Sequence, residues 1–299
     1  AFLDHGTVAL TLERGLEQAR AEMRRLADLG VDLGAVTDWL LEDGVGKFAQ
    51  SFETLLGSIA AKRDWLLSDG RRRWARLGEH ERACQQGLDH LKRNRIVARI
   101  WAHDHTVWKP APAEITNRLG WLHIVEAMEE DGLARIERLT TEARAAGYTQ
   151  AVLLGMGGSS LAPDVFSRTF GAAQGHLDLT VLDSTSPTAV QRCLERIDLA
   201  RTLFIVSTKS GTTAETLSLF KFFFNQTAAT LGREGAGEHF VAITDPGSRL
   251  AETAERLRFR ATFLNDPNIG GRYSALSSVG LLPAGLMGVN LRTLLDRAG

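Results

Sequence analysis

The chain has 299 residues, 44% of them hydrophobic, enough for two domains or for one α/β unit with a helical extension. Lys and Arg total 35 against 36 Asp and Glu, a net charge of −1 that lacks the basic footprint of a nucleic-acid binder. Its two cysteines, Cys84 and Cys193, argue against a disulfide framework or structural zinc and fit a reducing cytoplasm, and no apolar run reaches the roughly 18 residues that span a bilayer.

The opening AFLDHGTVAL has neither an initiator Met nor the basic-then-apolar pattern of a signal peptide, so the chain reads as cut from something longer. From Thr7 to about Ile100 the apolar periodicity is helical. Leu12, Leu16, Ala19, Met23, Leu26 and Leu29 form one stripe, which Gly30 closes as a C-terminal cap. A short helix is expected from Asp32 to Leu41, a break at Asp43-Gly44-Val45, and a second helix to Lys62 with Phe48, Phe52, Leu55, Leu56 and Ile59 as core. Arg71-Arg72-Arg73 and Lys92-Arg93-Asn94-Arg95 read as solvated faces. His103-Asp104-His105 reads as a surface pair, because alternate positions on a helix diverge and no third metal ligand stands out. Lys109-Pro110-Ala111-Pro112 breaks the helices and is the linker candidate.

After Tyr148 short apolar runs alternate with helical stretches, the pattern of a parallel sheet covered on both faces. Strands are expected at Ala151–Leu154, Leu177–Leu182, Leu203–Val206, Phe240–Ile243 and Ala261–Leu264. Helices are expected at Leu161–Phe170, Thr188–Ile197, Ala214–Gln226, Arg249–Leu257 and Ser278–Met287. The fold class is therefore α/β: a five-stranded parallel sheet of flavodoxin-like type, preceded by an all-helical segment. Ligands of such sheets bind at the carboxyl ends of the strands, and three loops at that edge carry unusual residues. The first is Gly155-Met156-Gly157-Gly158-Ser159-Ser160, whose glycines let backbone N–H groups face an anion or a sugar hydroxyl. The second, STKSGTTAET from Ser207 to Thr216, offers the hydroxyls of Ser207, Thr208, Ser210, Thr212 and Thr213, together with Lys209 and a helix N-terminus, to one spot, which suits phosphate. In it Gly211 would let a ligand approach the backbone, while Thr212 and Glu215 also fit a capping box. The third is Asn268-Ile269-Gly270-Gly271-Arg272-Tyr273-Ser274, presenting a guanidinium from a diglycine turn. A rival reading takes Gly155-x-Gly157-x-x-Ser160 with Asp183 as a dinucleotide fingerprint, although Ser160 replaces its third glycine.

Two resemblances bear on this pattern. The run LGVDLGAVTDWLLEDGVGKFAQSFETLLGSIAAKR, Leu29 to Arg63, resembles the closing helices of a transaldolase. That family's barrel is not in this chain, and neither Lys47 nor Lys62 matches its Schiff-base lysine. The stretch IWAHDHTVWKPAPAEITNRLGWLHIVEAM is similar to the start of glucose-6-phosphate isomerase modules fused to transaldolases. GMGGSSLAPDVF, STKSGTTAET and NIGGRYSALSSVGLLPA together resemble the sugar-isomerase fold of glucose-6-phosphate isomerases. These likenesses divide the chain into transaldolase helices (1–67), a helical linker (68–110) and a first sugar-isomerase lobe (111–299). They imply that Thr208, Lys209, Ser210 and Thr213 hold the substrate phosphate, that Gly158 and Ser159 line the sugar pocket, and that Arg272 stabilises an enediolate. The second loop departs from the isomerase wording at Lys209 and Gly211, towards the broader sugar-phosphate-binding pattern.

The resemblance further implies a cytoplasmic enzyme that interconverts glucose 6-phosphate and fructose 6-phosphate without cofactor or metal. Its partner would be a small sugar phosphate, with no nucleic acid and no membrane, in an assembly compatible with a homo-oligomer. The family's base is a glutamate of a second lobe, with a ring-opening histidine and lysine further on. Here no His follows His239 and no Glu follows Glu255, so the chain by itself is expected to bind without turnover. The alternatives are a non-catalytic sugar-phosphate sensor and a dinucleotide-dependent enzyme.

Overall fold

The computed structural model describes residues 15–67 and 77–299. Leu12, the start of the helical reading at Thr7, and Arg71-Arg72-Arg73 lie outside the described residues. The chain divides into one unit ending at Cys84 and one running from Gln85 to Gly299.

The first unit holds α1 (Leu16–Asp28) and α2 (Leu33–Leu67). Gly30, at φ +81°, closes α1 as expected, with Val31 N–H reaching back to the Leu26 carbonyl. The break expected at residues 43–45 is absent. Glycine costs a helix only about 1 kcal/mol and removes no hydrogen bond, and the Lys47–Asp43 pair at 2.7 Å bridges the glycine stretch. The expected core is also absent among the described residues: Phe48 is 81% exposed and Phe52 60%. One helix cannot bury its own stripe, and among the described residues nothing covers these side chains.

α3 (Glu81–Arg93) begins in the first unit and ends in the second, where α4 (Ile96–Trp101) precedes an irregular stretch. There Asp104 caps a short turn: bonds from Thr106 and Arg99 hold its carboxyl down to about 2. α5 (Ile124–Ala127) passes through a wide turn into α6 (Leu133–Ala145). The sheet follows: β1 (Gln150–Gly155), α7 (Leu161–Phe170), β2 (Asp178–Leu182), α8 (Pro187–Arg196), β3 (Thr202–Ser207), α9 (Ala214–Leu231), α10 (Arg233–Ala236), β4 (Phe240–Thr244), α11 (Arg249–Arg256), β5 (Ala261–Leu264), α12 (Ser278–Leu286) and α13 (Leu291–Asp296). All neighbouring strands pair in parallel, in the order β2-β1-β3-β4-β5.

β1, β3 and β4 are buried on both faces, which is why they read as unbroken apolar runs rather than alternating ones. Leu153, Ile205 and Ile243 face the layer of α6, α12 and α13; Val152, Leu154, Phe204 and Val206 face the layer of α8, α9 and α11. In the second layer Phe204 stacks on Phe240 at 4.9 Å, with Phe220, Phe223 and Phe224 of α9 around them. The strand order reverses between β1 and β3, so their carboxyl ends open into a crevice flanked by the first two loops.

Candidate active site

A cleft of about 350 Å³ opens at that switch point, and all three unusual loops reach it. From the β1 loop come Gly158 and Ser159; from the β3 loop Thr208, Lys209, Ser210 and Thr213; from the third, Gly271. The β3 loop is shaped by its own hydroxyls. Thr208 Oγ1 bonds Thr213 Oγ1 at 2.9 Å, Ser210 Oγ bonds Thr212 Oγ1 at 2.8 Å, and Thr212 N–H donates to Ser210 Oγ at 3.2 Å. The capping-box reading fails here: Thr213 is the N-cap of α9, and no side chain caps that helix. Paired hydroxyls therefore stand at the amino end of an 18-residue helix whose first N–H groups remain free to meet an anion.

The floor is polar as well as buried. Ser207 and Thr216 are 1% and 0% exposed, both line the cleft, and neither hydroxyl has a hydrogen-bond partner among the described residues. A buried hydroxyl without a partner costs about 1–3 kcal/mol, so the cleft carries donors that a ligand oxygen would satisfy. Ser207 is one of the five hydroxyl donors expected from the sequence, whereas Thr216 was not singled out, although it closes the same STKSGTTAET stretch. The other residue missed is Asp245, just past β4, where an acid at the carboxyl end of a parallel strand was the available signal.

Lys209 adopts an arrangement the sequence did not suggest. Its ammonium is bonded to Asp245 Oδ2 and, at 2.7 Å, to the Pro267 carbonyl, while its own carbonyl accepts from Asp245 N–H at 3.1 Å. The lysine thus ties the loops after β3, β4 and β5 together in the cleft wall. Gly211 also serves the fold. At φ +67° its position leaves 2.7 Å between an added Cβ and Leu250 N, so the loop presses on the start of α11.

The first and third loops meet backbone to backbone. A Cβ on Gly158 would lie 2.7 Å from the Gly271 carbonyl, and Ser274 Oγ bridges Gly158 O at 3.2 Å and Gly271 O at 2.8 Å. Arg272 follows the lining residue Gly271 on an exposed short turn but does not itself line the cleft, and no carboxylate lies within ion-pair distance of it among the described residues. The turn is held from outside by Trp121, stacked on Tyr273 at 5.2 Å, and by Gly120 N–H bonded to Asn268 O at 3.2 Å. Among the described residues no group of three His, Cys, Asp or Glu has metal-ligand spacing.

The comparisons with known proteins agree with this geometry. Residues 134–298 match the family described as phosphoglucose isomerase. Glucose-6-phosphate isomerase of Cyanothece sp. (strain PCC 7425 / ATCC 29141) is 40% identical over 50% of this chain and 28% of its own length. That of Acaryochloris marina (strain MBIC 11017) is 34% identical over 69% of this chain and 38% of its own. The crystal structure of a glucose-6-phosphate isomerase from Chlamydia trachomatis D/UW-3/Cx superposes with TM-score 0.52 at 26% identity, over 58% of this chain and 33% of that one. A hypothetical protein from Thermus thermophilus superposes with TM-score 0.59 at 32% identity, over 72% of this chain and 48% of that one. This chain thus spans well under half the length of these curated relatives. With 165 of its 299 residues inside the family match, the chain belongs to the phosphoglucose isomerase family.

Proposed function

We propose that residues 111–299 form the first, sugar-phosphate-binding lobe of a glucose-6-phosphate isomerase, and that the polypeptide as a whole is a fusion with transaldolase, of which residues 1–67 are the last helices. The observation that carries the reading is the convergence of Ser159, Thr208, Ser210 and Thr213 on one cleft, over the unpartnered buried hydroxyls of Ser207 and Thr216. Thr208, Ser210 and Thr213 give hydroxyls to the phosphate at the amino end of α9, and Lys209 fixes the wall beside it. Gly158 and Ser159 meet the sugar.

Isomerisation moves a proton from C2 to C1 while the C2 hydroxyl becomes a carbonyl and the C1 carbonyl becomes a hydroxyl, and negative charge builds on the oxygens of an enediolate between the two. Arg272, always charged and without an ion-pair partner among the described residues, answers that charge at the moment it forms, lowering the barrier rather than only tightening binding. The base that takes the proton comes from outside this chain. In the complete protein the reaction would serve glycolysis and gluconeogenesis, with transaldolase chemistry in the pentose phosphate pathway, in the cytoplasm.

The test is kinetic and calorimetric. The full-length gene product should interconvert glucose 6-phosphate and fructose 6-phosphate, and Arg272→Ala should abolish kcat while this chain still binds fructose 6-phosphate. Binding without turnover in the full-length protein would instead indicate a sugar-phosphate sensor.

A further inference from the structure

On the outer face of the sheet layer formed by α9 and α11 runs a groove of about 600 Å³, distinct from the cleft and sharing no lining residue with it. Lys221, Arg233, Arg249 and Arg256 line it, and no carboxylate does. Arg249, Thr253 and Arg256, at i, i+4 and i+7 along α11, line the groove, whereas Glu252 and Glu255 are not among its lining residues. All four cations are exposed, and none is ion-paired among the described residues. Four like charges around one groove repel one another, and a bound polyanion relieves that repulsion. The floor is apolar, including Phe220 and Phe224, and Asn225 adds an amide that can both donate and accept.

We propose that this groove is a binding site for a nucleoside polyphosphate: the flat base lies on the phenylalanine floor near Asn225, and the phosphates lie among Lys221, Arg249 and Arg256. The volume is within the range of small-ligand sites, roughly 300–1,000 Å³, and an apolar bed with a few converging charges is their usual chemistry. An inorganic polyanion would use only the cations, and a free nucleoside only the floor.

Titration calorimetry of this chain, with fructose 6-phosphate in excess to occupy the cleft, tests the proposal. ATP should bind one to one at or below about 100 μM, with tripolyphosphate at least about threefold weaker and adenosine showing no heat. The double variant Lys221→Gln/Arg256→Gln should weaken ATP roughly tenfold or more, since each cation takes its charge-assisted hydrogen bonds to the phosphates with it. Arg233→Gln provides an independent check, and an unchanged melting midpoint shows that the variants fold. The proposal is overturned if ATP shows no binding up to about 1 mM. It is equally overturned if the double variant binds ATP as tightly as the parent, if fructose 6-phosphate displaces ATP, or if tripolyphosphate matches it.

Discussion

A lysine in a phosphate loop is expected to reach for the phosphate, yet the ammonium of Lys209 is already bonded to Asp245 and the Pro267 carbonyl. Removing the lysine alone leaves a carboxylate, 17% exposed, uncompensated in the wall of an anion site. Lys209→Ala should therefore weaken fructose 6-phosphate about tenfold, and Lys209→Ala/Asp245→Asn should recover part of the loss, read by calorimetry. A double variant as weak as the single one would mean that the phosphate feels the lysine charge directly. Thr213→Val removes the partner of Thr208 and a donor to the phosphate, a loss of about 1.5–3 kcal/mol and hence tenfold or more in affinity, with the fold intact. Unchanged affinity would remove Thr213 from the cradle.

At the scale of elements, the contact between two glycines sets where the arginine stands. Gly158→Ala places a Cβ 2.7 Å from the Gly271 backbone, which cannot rotate aside as a side chain would. The variant should lose about 1–3 kcal/mol of stability by denaturant titration together with sugar-phosphate binding. Gly157→Ala, with open space around its Cβ and only φ +55° to oppose it, should lose less stability and keep more of the affinity. Equal effects would show that backbone conformation, not the loop contact, governs the site. The five strands and the helices after β1, β2, β3 and β4 were legible because each couples a distinct period to a glycine or hydroxyl turn. α6 and α13 were not, although Leu133, Ile136 and Leu139 have helical spacing. Their role in covering one sheet face depends on which layer they join, and a single chain reading does not contain that. The same limit applies to α2, whose stripe is plain in sequence while its covering is a matter of neighbours. In the site, residue types and loops were legible, whereas the Lys209–Asp245 tie joins positions 36 apart and appears only once β3 and β4 lie side by side.

For the molecule as a whole, the acid side of the stability profile depends on groups that the fold keeps neutral. His239 lies between the amino end of β3 and Tyr148, edge-on to its ring at 5.1 Å, with Nδ1 3.3 Å from the Thr202 carbonyl. Burial lowers its pKa below 6.5, opposed by the bond to Thr202; Arg260 lowers it further and Glu238 raises it. A histidine whose folded pKa lies below its unfolded one binds a proton more readily in the unfolded chain. Its contribution to stability is thus complete above pH 6.5 and is lost as pH falls from there through the folded pKa. Thermal melting should show a midpoint that declines below about pH 6.5. His239→Gln, which retains a donor for the Thr202 carbonyl and has nothing to protonate, should lower the midpoint at neutral pH while flattening the decline between about pH 6.5 and 5. If the variant's profile keeps the parent's slope through that window, the proton is taken up elsewhere, and His239 is a packing residue whose charge state the fold does not sense.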